Sequence, residues 1–352
     1  MRQKARENNM RTVDLRSDTL THPTPAMREA MMAAEVGDDV FGEDPTINKL
    51  QDKIAEMTGK EAALFVTSGT QGNQVSLNAQ TRPGQEVICD KNCHIFNYEC
   101  GSAAMLAGVQ LNALDGKNGL LNKTMIEAAI RPEDDHYPQT GLICLENTHN
   151  RGGGNIYPLD EMRRIYEFAQ SRQLPVHLDG ARLWNATVAT GISLKEYCQY
   201  TDSVSLCFSK GLGAPVGSIV AGDKAFIQRA HLYRKAYGGG IRQGGILAAA
   251  ALHAIEHQLP KLAEDHRRAK AFAEALHQMS GIHVPPETVE TNIVIFEVDP
   301  KKIDAADLVR QLQVNGVLMF QFGPTRIRAV MHLHITDEDV AFALPVFRKI
   351  LA

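Results

Sequence analysis

The chain has 352 residues, 44% of them hydrophobic and 22% charged, with a formal net charge of −4. That length can bury a sizeable core and suggests two domains. Interspersed acids and bases leave no footprint for nucleic acid, no run approaches a membrane span, and six cysteines do not make a disulfide framework. The basic start at Arg2, Lys4 and Arg6 contains Glu7 and has no apolar stretch behind it, so it is not a signal peptide and a cytoplasmic protein is expected.

From about residue 60, short apolar runs alternate with helix-like segments. Ala62 to Thr67 ends in Ser68-Gly69-Thr70 and leads into a helical stretch to about Gln80. Further runs cover Glu86 to Asp90, Val109 to Leu114, Gly141 to Glu146, Leu174 to Asp179 and Ser203 to Phe208, with amphipathic segments such as Leu159 to Arg172 between them. This alternation predicts an α/β fold with a mainly parallel sheet and helices on both faces. Gly217 to Ala221 returns as a strand, and a long helical region follows, interrupted at Gly238-Gly239-Gly240 and Pro260. Past Gly281 the pattern changes. Strands are expected at Asn292 to Val298, Val317 to Phe320 and Ile327 to Leu333, with helices over Ala305 to Val314 and at the end of the chain. The expected organisation is an N-terminal segment (1–16), a large domain (17–255) and a small C-terminal α+β domain (256–352).

Two predicted strand ends carry the most informative residues. Val176-His177-Leu178-Asp179-Gly180-Ala181-Arg182 presents an acid, and Ser205-Leu206-Cys207-Phe208-Ser209-Lys210-Gly211 presents an amine. Ligands of such sheets gather at the strands' carboxyl ends. A lysine that can form a Schiff base and an acid that can keep a pyridine nitrogen protonated are what pyridoxal phosphate requires. Either residue alone reads more readily as a surface lysine or a helix cap, and it is the two together that point to the cofactor. Ser68-Gly69-Thr70 opens a helix after a strand, which suits a phosphate or simply an N-cap. No nucleotide-binding loop or dinucleotide fingerprint is present, so a small, singly phosphorylated cofactor fits better.

His94, just past a strand end, could stack on a flat ring and carry protons. His136 follows Glu133, Asp134 and Asp135 and reads, from spacing alone, as a solvated histidine. Arg182, three residues past Asp179, and Arg328, on a strand of the terminal domain, could clamp a carboxylate. Cys89, Cys93 and Cys100 cluster with His94 but match no zinc spacing. His332 and His334, alternating on an expected strand, read as buried or edge histidines. No metal site is expected.

Together these segments resemble the L-threonine aldolases, of the low-specificity or allo-threonine type, in the pyridoxal-phosphate-dependent fold-type I (aspartate aminotransferase-like) superfamily. The anchors are Asp14-Leu15-Arg16-Ser17-Asp18-Thr19, Val36 to Pro45, Ser68-Gly69-Thr70, Leu145-Glu146-Asn147-Thr148-His149-Asn150, His177 to Arg182, Ser209 to Gly217 and Gly238 to Gln243. The resemblance implies retro-aldol cleavage of L-threonine, L-allo-threonine and related β-hydroxy-α-amino acids to glycine and an aldehyde. It implies that Lys210 carries the cofactor and that Asp179 pairs with its ring nitrogen, with His94 stacking on the ring. Ser68, Gly69 and Thr70 would bind the phosphate, joined by Arg242 from a neighbouring subunit. Ser17, Arg182 and Arg328 would hold the substrate carboxylate. His136 would help with the substrate hydroxyl, Tyr98 would border the β-substituent, and Lys235 would lie near the mouth of the site. A homo-oligomer with shared active sites, dimer or tetramer, is also implied. Phe41 stands where many relatives carry tyrosine, and Met331 where a smaller polar residue is common. A β-eliminating lyase, an aminotransferase or a non-catalytic cofactor-binding protein would share the lysine, the aspartate and the phosphate turn.

Overall fold

A computed structural model describes residues 11–352. Residues 1–10 of the expected N-terminal segment, with Arg2, Lys4 and Arg6, lie outside the described residues. The chain divides into two compact units. One is residues 22–260; the other joins the segment through residue 21 to residues 261–352.

In chain order, β1 (Val13–Asp14) precedes α1 (Pro25–Met32) and α2 (Pro45–Thr58). There follow β2 (Ala62–Val66), α3 (Gly69–Gln80), β3 (Glu86–Asp90), α4 (His94–Asn97), β4 (Gln110–Leu114), α5 (Lys123–Ala129) and β5 (Thr140–Glu146). Then come α6 (Leu159–Ser171), β6 (Val176–Gly180), α7 (Leu183–Thr190), α8 (Leu194–Cys198), β7 (Ser203–Cys207), β8 (Ser218–Gly222), α9 (Lys224–Ala236) and α10 (Gly245–His257). The larger unit is built on a seven-stranded sheet in the order β2-β8-β7-β6-β5-β3-β4. Its pairings are parallel except where β8 meets β2 and β7. Every residue of β3, β5, β6, β7 and β8 is buried, which is why these strands read as continuous apolar runs rather than alternating ones. Because these strands pair in parallel, the connections between them return the chain so that β3, β5, β6 and β7 end on one edge.

The smaller unit contains α11 (Leu262–His277), β9 (Ile282–His283), β10 (Ile293–Val298), α12 (Ala305–Val314), β11 (Val317–Leu318), β12 (Phe320–Gln321), β13 (Arg326–Val330) and α13 (Asp337–Leu351). Four strands form an antiparallel sheet in the order β12-β13-β10-β9, while β1 pairs in parallel with β11. The T-shaped stack of Phe272, Phe296 and Phe347 fills its core. The first strand therefore belongs with this unit, tied by the Val13 and Leu15 N–H groups to the Gly316 and Leu318 carbonyls.

Two expectations need correction here. Val317 to Phe320 is not one strand: Val317–Leu318 pairs with β1, and after buried Met319 the chain joins a different sheet at Phe320. His332 and His334 do not alternate on a strand: β13 ends at Val330, one further in-register rung joins the Met331 N–H to the Asn292 carbonyl, and the chain then turns, with the Ile335 N–H bonding the His332 carbonyl. Both histidines sit in the loop that follows, His332 bonding the Asp14 carbonyl through Nε2 and His334 N–H donating to His332 Nδ1.

Candidate functional site

Parallel register sets Asp179, near the end of β6, beside Glu146, the last residue of β5. Lys210 follows β7 by three residues, in the loop that returns antiparallel as β8. That loop is closed by bonds from Gly213 N–H to the Lys210 carbonyl and from Phe208 N–H to the Gly217 carbonyl. Trp184, on α7, packs on Phe208 with ring centroids 6.1 Å apart and donates its indole N–H to the Cys207 carbonyl, bracing the strand just ahead of the lysine. An acid and an amine thus stand at the carboxyl ends of neighbouring strands.

His94 opens the short helix α4. Its backbone N–H donates to Glu146 Oε2 at 2.7 Å, and the other oxygen of Glu146 takes the Asn150 N–H at 2.8 Å. Its ring Nδ1 lies 2.7 Å from Glu99 Oε1. Burial pushes the imidazole pKa down, but the Glu99 bond and the charges of Asp179 and Glu99 outweigh that and the opposing charge of Lys210, so the net shift is upward. The ring is only partly enclosed, with a third of the side chain exposed. It can therefore exchange protons at the surface of the site.

Asp179 is buried and accepts the Ala181 N–H at Oδ1 and the Asn73 amide at Oδ2, 2.8 Å away. Asn73 reaches it because α3 lies close on the sheet: a Cβ on Gly72 would fall 2.5 Å from Ser205 Oγ on β7. One donor atom each from His94, Glu99 and Asp179 fall within 4.8 Å of one another. Asn73 Nδ2 bonds both carboxylates, so the cluster is satisfied by hydrogen bonds.

At the start of α3, Ser68 Oγ accepts the Gln71 N–H and the Ser68 carbonyl accepts that of Gly72. The N–H groups of Gly69 and Thr70 then point out of the helix start, where the positive end of the helix dipole favours an anion. Ser68 thus serves as the N-cap. Gln71 Oε1 takes the backbone and side-chain donors of Thr67, and Gly239 approaches so closely that a Cβ there would lie 2.3 Å from Gln71 Nε2. Ser218 Oγ, buried and without a hydrogen-bond partner among the described residues, lies 3.8 Å from where a Cβ on Gly69 would be.

The remaining expected residues divide. Arg182 is buried, immediately ahead of α7 and three residues past Asp179. Tyr98 packs against His94, ring centroids 5.6 Å apart, and its hydroxyl accepts from Arg151. Lys235, in the last turn of α9, lies against Gly240. Ser17 and Arg328 belong to the smaller unit, where Ser17 caps a short 3₁₀ turn and Arg328 donates to the Arg16 carbonyl at 3.1 Å. Phe41 is exposed and Met331 fully buried.

Of the last two expected residues, one is held in a local ion pair and the other stands away from this edge. Arg242 pairs with Asp38 at 3.0 Å. His136 precedes Thr140, the amino end of β5, so it stands at the opposite edge of the sheet, highly exposed and paired with Asp134. Sequence reasoning missed Glu99, Asn73 and Gln74, and gave Glu146 no role. A buried acid five residues after His94 carries no motif of its own.

Residues 14–299 match the model of the beta-eliminating lyase family. The chain is 46% identical to low-specificity L-threonine aldolase 1 of Arabidopsis thaliana, over 97% of this chain and 96% of that one. It is 43% identical to the low specificity L-threonine aldolase of Escherichia coli K12, over 97% and 99%. A threonine aldolase structure from Leishmania major superposes with a TM-score of 0.83 at 21% identity, covering 96% of this chain and 99% of that one, and so speaks to the fold.

Proposed function

The chain belongs to the beta-eliminating lyase family, among its threonine aldolases, and is a carbon–carbon lyase; from that premise we propose that it cleaves L-threonine, L-allo-threonine and related β-hydroxy-α-amino acids to glycine and an aldehyde on pyridoxal phosphate. The observation that carries the reading is the meeting of Asp179, His94 and the Lys210 charge at the carboxyl edge of the parallel strands. The cofactor fits these residues on a separate ground. Among the described residues, Ser218 Oγ is a buried polar atom with no partner, beside a helix start whose first N–H groups are unused, which is the state expected of a seat made for a phosphate.

In this reading Lys210 holds the cofactor and Asp179 keeps a proton on its ring nitrogen. Gly69 and Thr70 take the phosphate, and Arg182 takes the substrate carboxylate, fixing which bond at Cα stands upright to the ring. His94 receives the proton of the substrate hydroxyl as the Cα–Cβ bond opens. When bound, pyridoxal phosphate supplies the electron sink for the pair released at Cα. Tyr98 borders the β-substituent and Lys235 the mouth. The reading has His136 and Arg242 act from a neighbouring copy, in a homo-oligomer, dimer or tetramer, in the cytoplasm.

The test is product identity from the four threonine stereoisomers. The two L forms should release acetaldehyde and glycine in equal amounts, while a keto acid in their place would overturn the reading in favour of elimination or transamination.

A further inference from the structure

A buried chain of hydrogen bonds behind the site decides what holds His94 and which of its nitrogens is free. Asn73 Nδ2 lies 2.8 Å from Glu99 Oε1 and 2.8 Å from Asp179 Oδ2. Carboxylates accept and do not donate, so the atom between them must be the amide's donor end. The amide oxygen then faces His177 Nε2, 3.3 Å away, and must accept from it. His177 is fully enclosed, and burial brings its pKa down to about 4, so the ring is neutral with its one proton on Nε2. Its Nδ1 therefore accepts from the Ser203 hydroxyl at 2.8 Å, and Gln80 Nε2 donates in turn to Ser203 Oγ at 2.8 Å.

Every donor in this chain points the same way. The bonds start at Gln80, pass Ser203, His177 and Asn73, and end on Glu99 and Asp179. Gln74 Nε2 adds a further donor to Glu99 Oε2 at 2.6 Å. His94 meets the same carboxylate from the far side through Nδ1. With acceptor oxygens only on that face, His94 Nδ1 carries the hydrogen and Nε2 keeps its lone pair.

We propose that Glu99 is a positioning residue that locks His94 as the Nδ1–H tautomer, leaving Nε2 as the atom that takes the substrate's hydroxyl proton, and that Asn73 ties this lock to Asp179. The proposal deepens the aldolase reading and rests on it for the identity of the proton. In the step, the O–H bond breaks as Nε2–H forms, and the oxygen's electron pair becomes the aldehyde C=O. The Cα–Cβ pair passes to the bound cofactor, and the imidazolium is balanced by Glu99. The groups that face the ring are Glu99, Asp179, Lys210 and Tyr98, with Glu146 on its backbone N–H.

The experiment is carbethoxylation of His94 in the holoenzyme by diethylpyrocarbonate, followed on its peptide by mass spectrometry across the imidazole's titration range. The reagent attacks the free nitrogen of the neutral ring, so the midpoint reads the His94 pKa without any turnover. In Glu99→Gln the midpoint should fall by about one pH unit or more, because the neighbouring charge is gone. The acid limb of the kcat profile should move with it, while KM for threonine changes by less than about threefold. Glu99→Asp should restore part of the shift. A folded Glu99→Gln with the wild-type midpoint overturns the proposal. Should that variant not fold, Gln74→Met withdraws a competing donor from Glu99 and should move the midpoint upward; no movement there overturns it equally. A midpoint that shifts in a protein releasing no aldehyde would support the lock and sink only the aldolase reading.

Discussion

The two edges of the seven-stranded sheet both carry charged side chains, and they use them differently. The amino edge holds a cavity of about 800 Å³ lined by Arg82, Glu133, Arg172, Asp202, Asp223 and Arg229 among others, a volume within the range of small-molecule sites. Its charges are engaged locally. Arg229 donates to the Ala79 carbonyl, Asp202 takes the Val176 N–H, and Asp223 caps α9. At the carboxyl edge, Asp179, Glu99, Asn73 and His94 bond one another, beside a helix start with unused N–H groups. Convergence of polar groups, more than the size of a hollow, is the ground for proposing the carboxyl edge as the reacting one.

The largest test of that contrast is Lys210→Ala, which should abolish aldehyde release from threonine and the cofactor's yellow absorbance in the purified protein. Cleavage surviving at the wild-type rate would move the reacting centre away from this edge. The next effect reads the buried hydrogen-bond chain through pH. Burial lowers the His177 pKa from 6.5 to about 4, so between those values the unfolded chain binds a proton that the folded chain does not. The stability that neutral His177 contributes is present above about pH 6.5 and is lost as pH falls towards 4, up to roughly 3 kcal/mol. His94, whose pKa is raised, works in the opposite sense: its contribution is present below 6.5 and is lost as pH rises through its folded value. Urea midpoints across the acid range check this, and His177→Gln should flatten the acid slope; the same slope in both proteins would assign it to another group.

Much of the fold was legible because it rests on local pattern. Strand Glu86–Asp90 and helix Ala305–Val314 fall where apolar runs and amphipathic spacing put them. The acid and the amine were legible because a polar residue and glycine close an apolar run. The lock around His94 was not. Asn73 and Asp179 are 106 residues apart in the chain, and an asparagine inside a helix announces nothing until the helix is laid on the sheet. His136 is instructive in another way. It precedes a strand, and a residue before a strand stands at its amino edge, so its separation from Asp179 was already written in the order of residues. The resemblance, which weighs motifs and not edges, overrode that. The terminal histidines were misassigned because Met331 and Leu333 carry the apolar pattern on past Val330, whereas the ladder runs only one rung further, to Met331, before the chain turns.

His94 and His136 give the contrast its most direct comparison. His94→Ala should keep bound cofactor and lower kcat on the order of a hundredfold, the size expected for losing a positioned proton carrier. His136→Ala should lower it by less than about tenfold, since the residue is highly exposed and, in the proposed reading, would act only from another copy. Equal losses in the two variants, measured at saturating threonine, would mean that the shared boundary contributes as much as the edge itself.

Ser68→Ala should have the smallest effect and sharpens what the phosphate seat is made of. The Ser68 hydroxyl already accepts the Gln71 N–H, so its removal costs a helix cap, about 1 kcal/mol, seen as a lower urea midpoint. The donors facing outward, Gly69 and Thr70 N–H, are backbone atoms and survive the change. Cofactor affinity, titrated by absorbance, should therefore weaken by no more than about fivefold, the worth of one neutral hydrogen bond. A far larger loss of affinity with an unchanged urea midpoint would make the hydroxyl a phosphate ligand in its own right, and the cap seen here a resting arrangement that binding replaces.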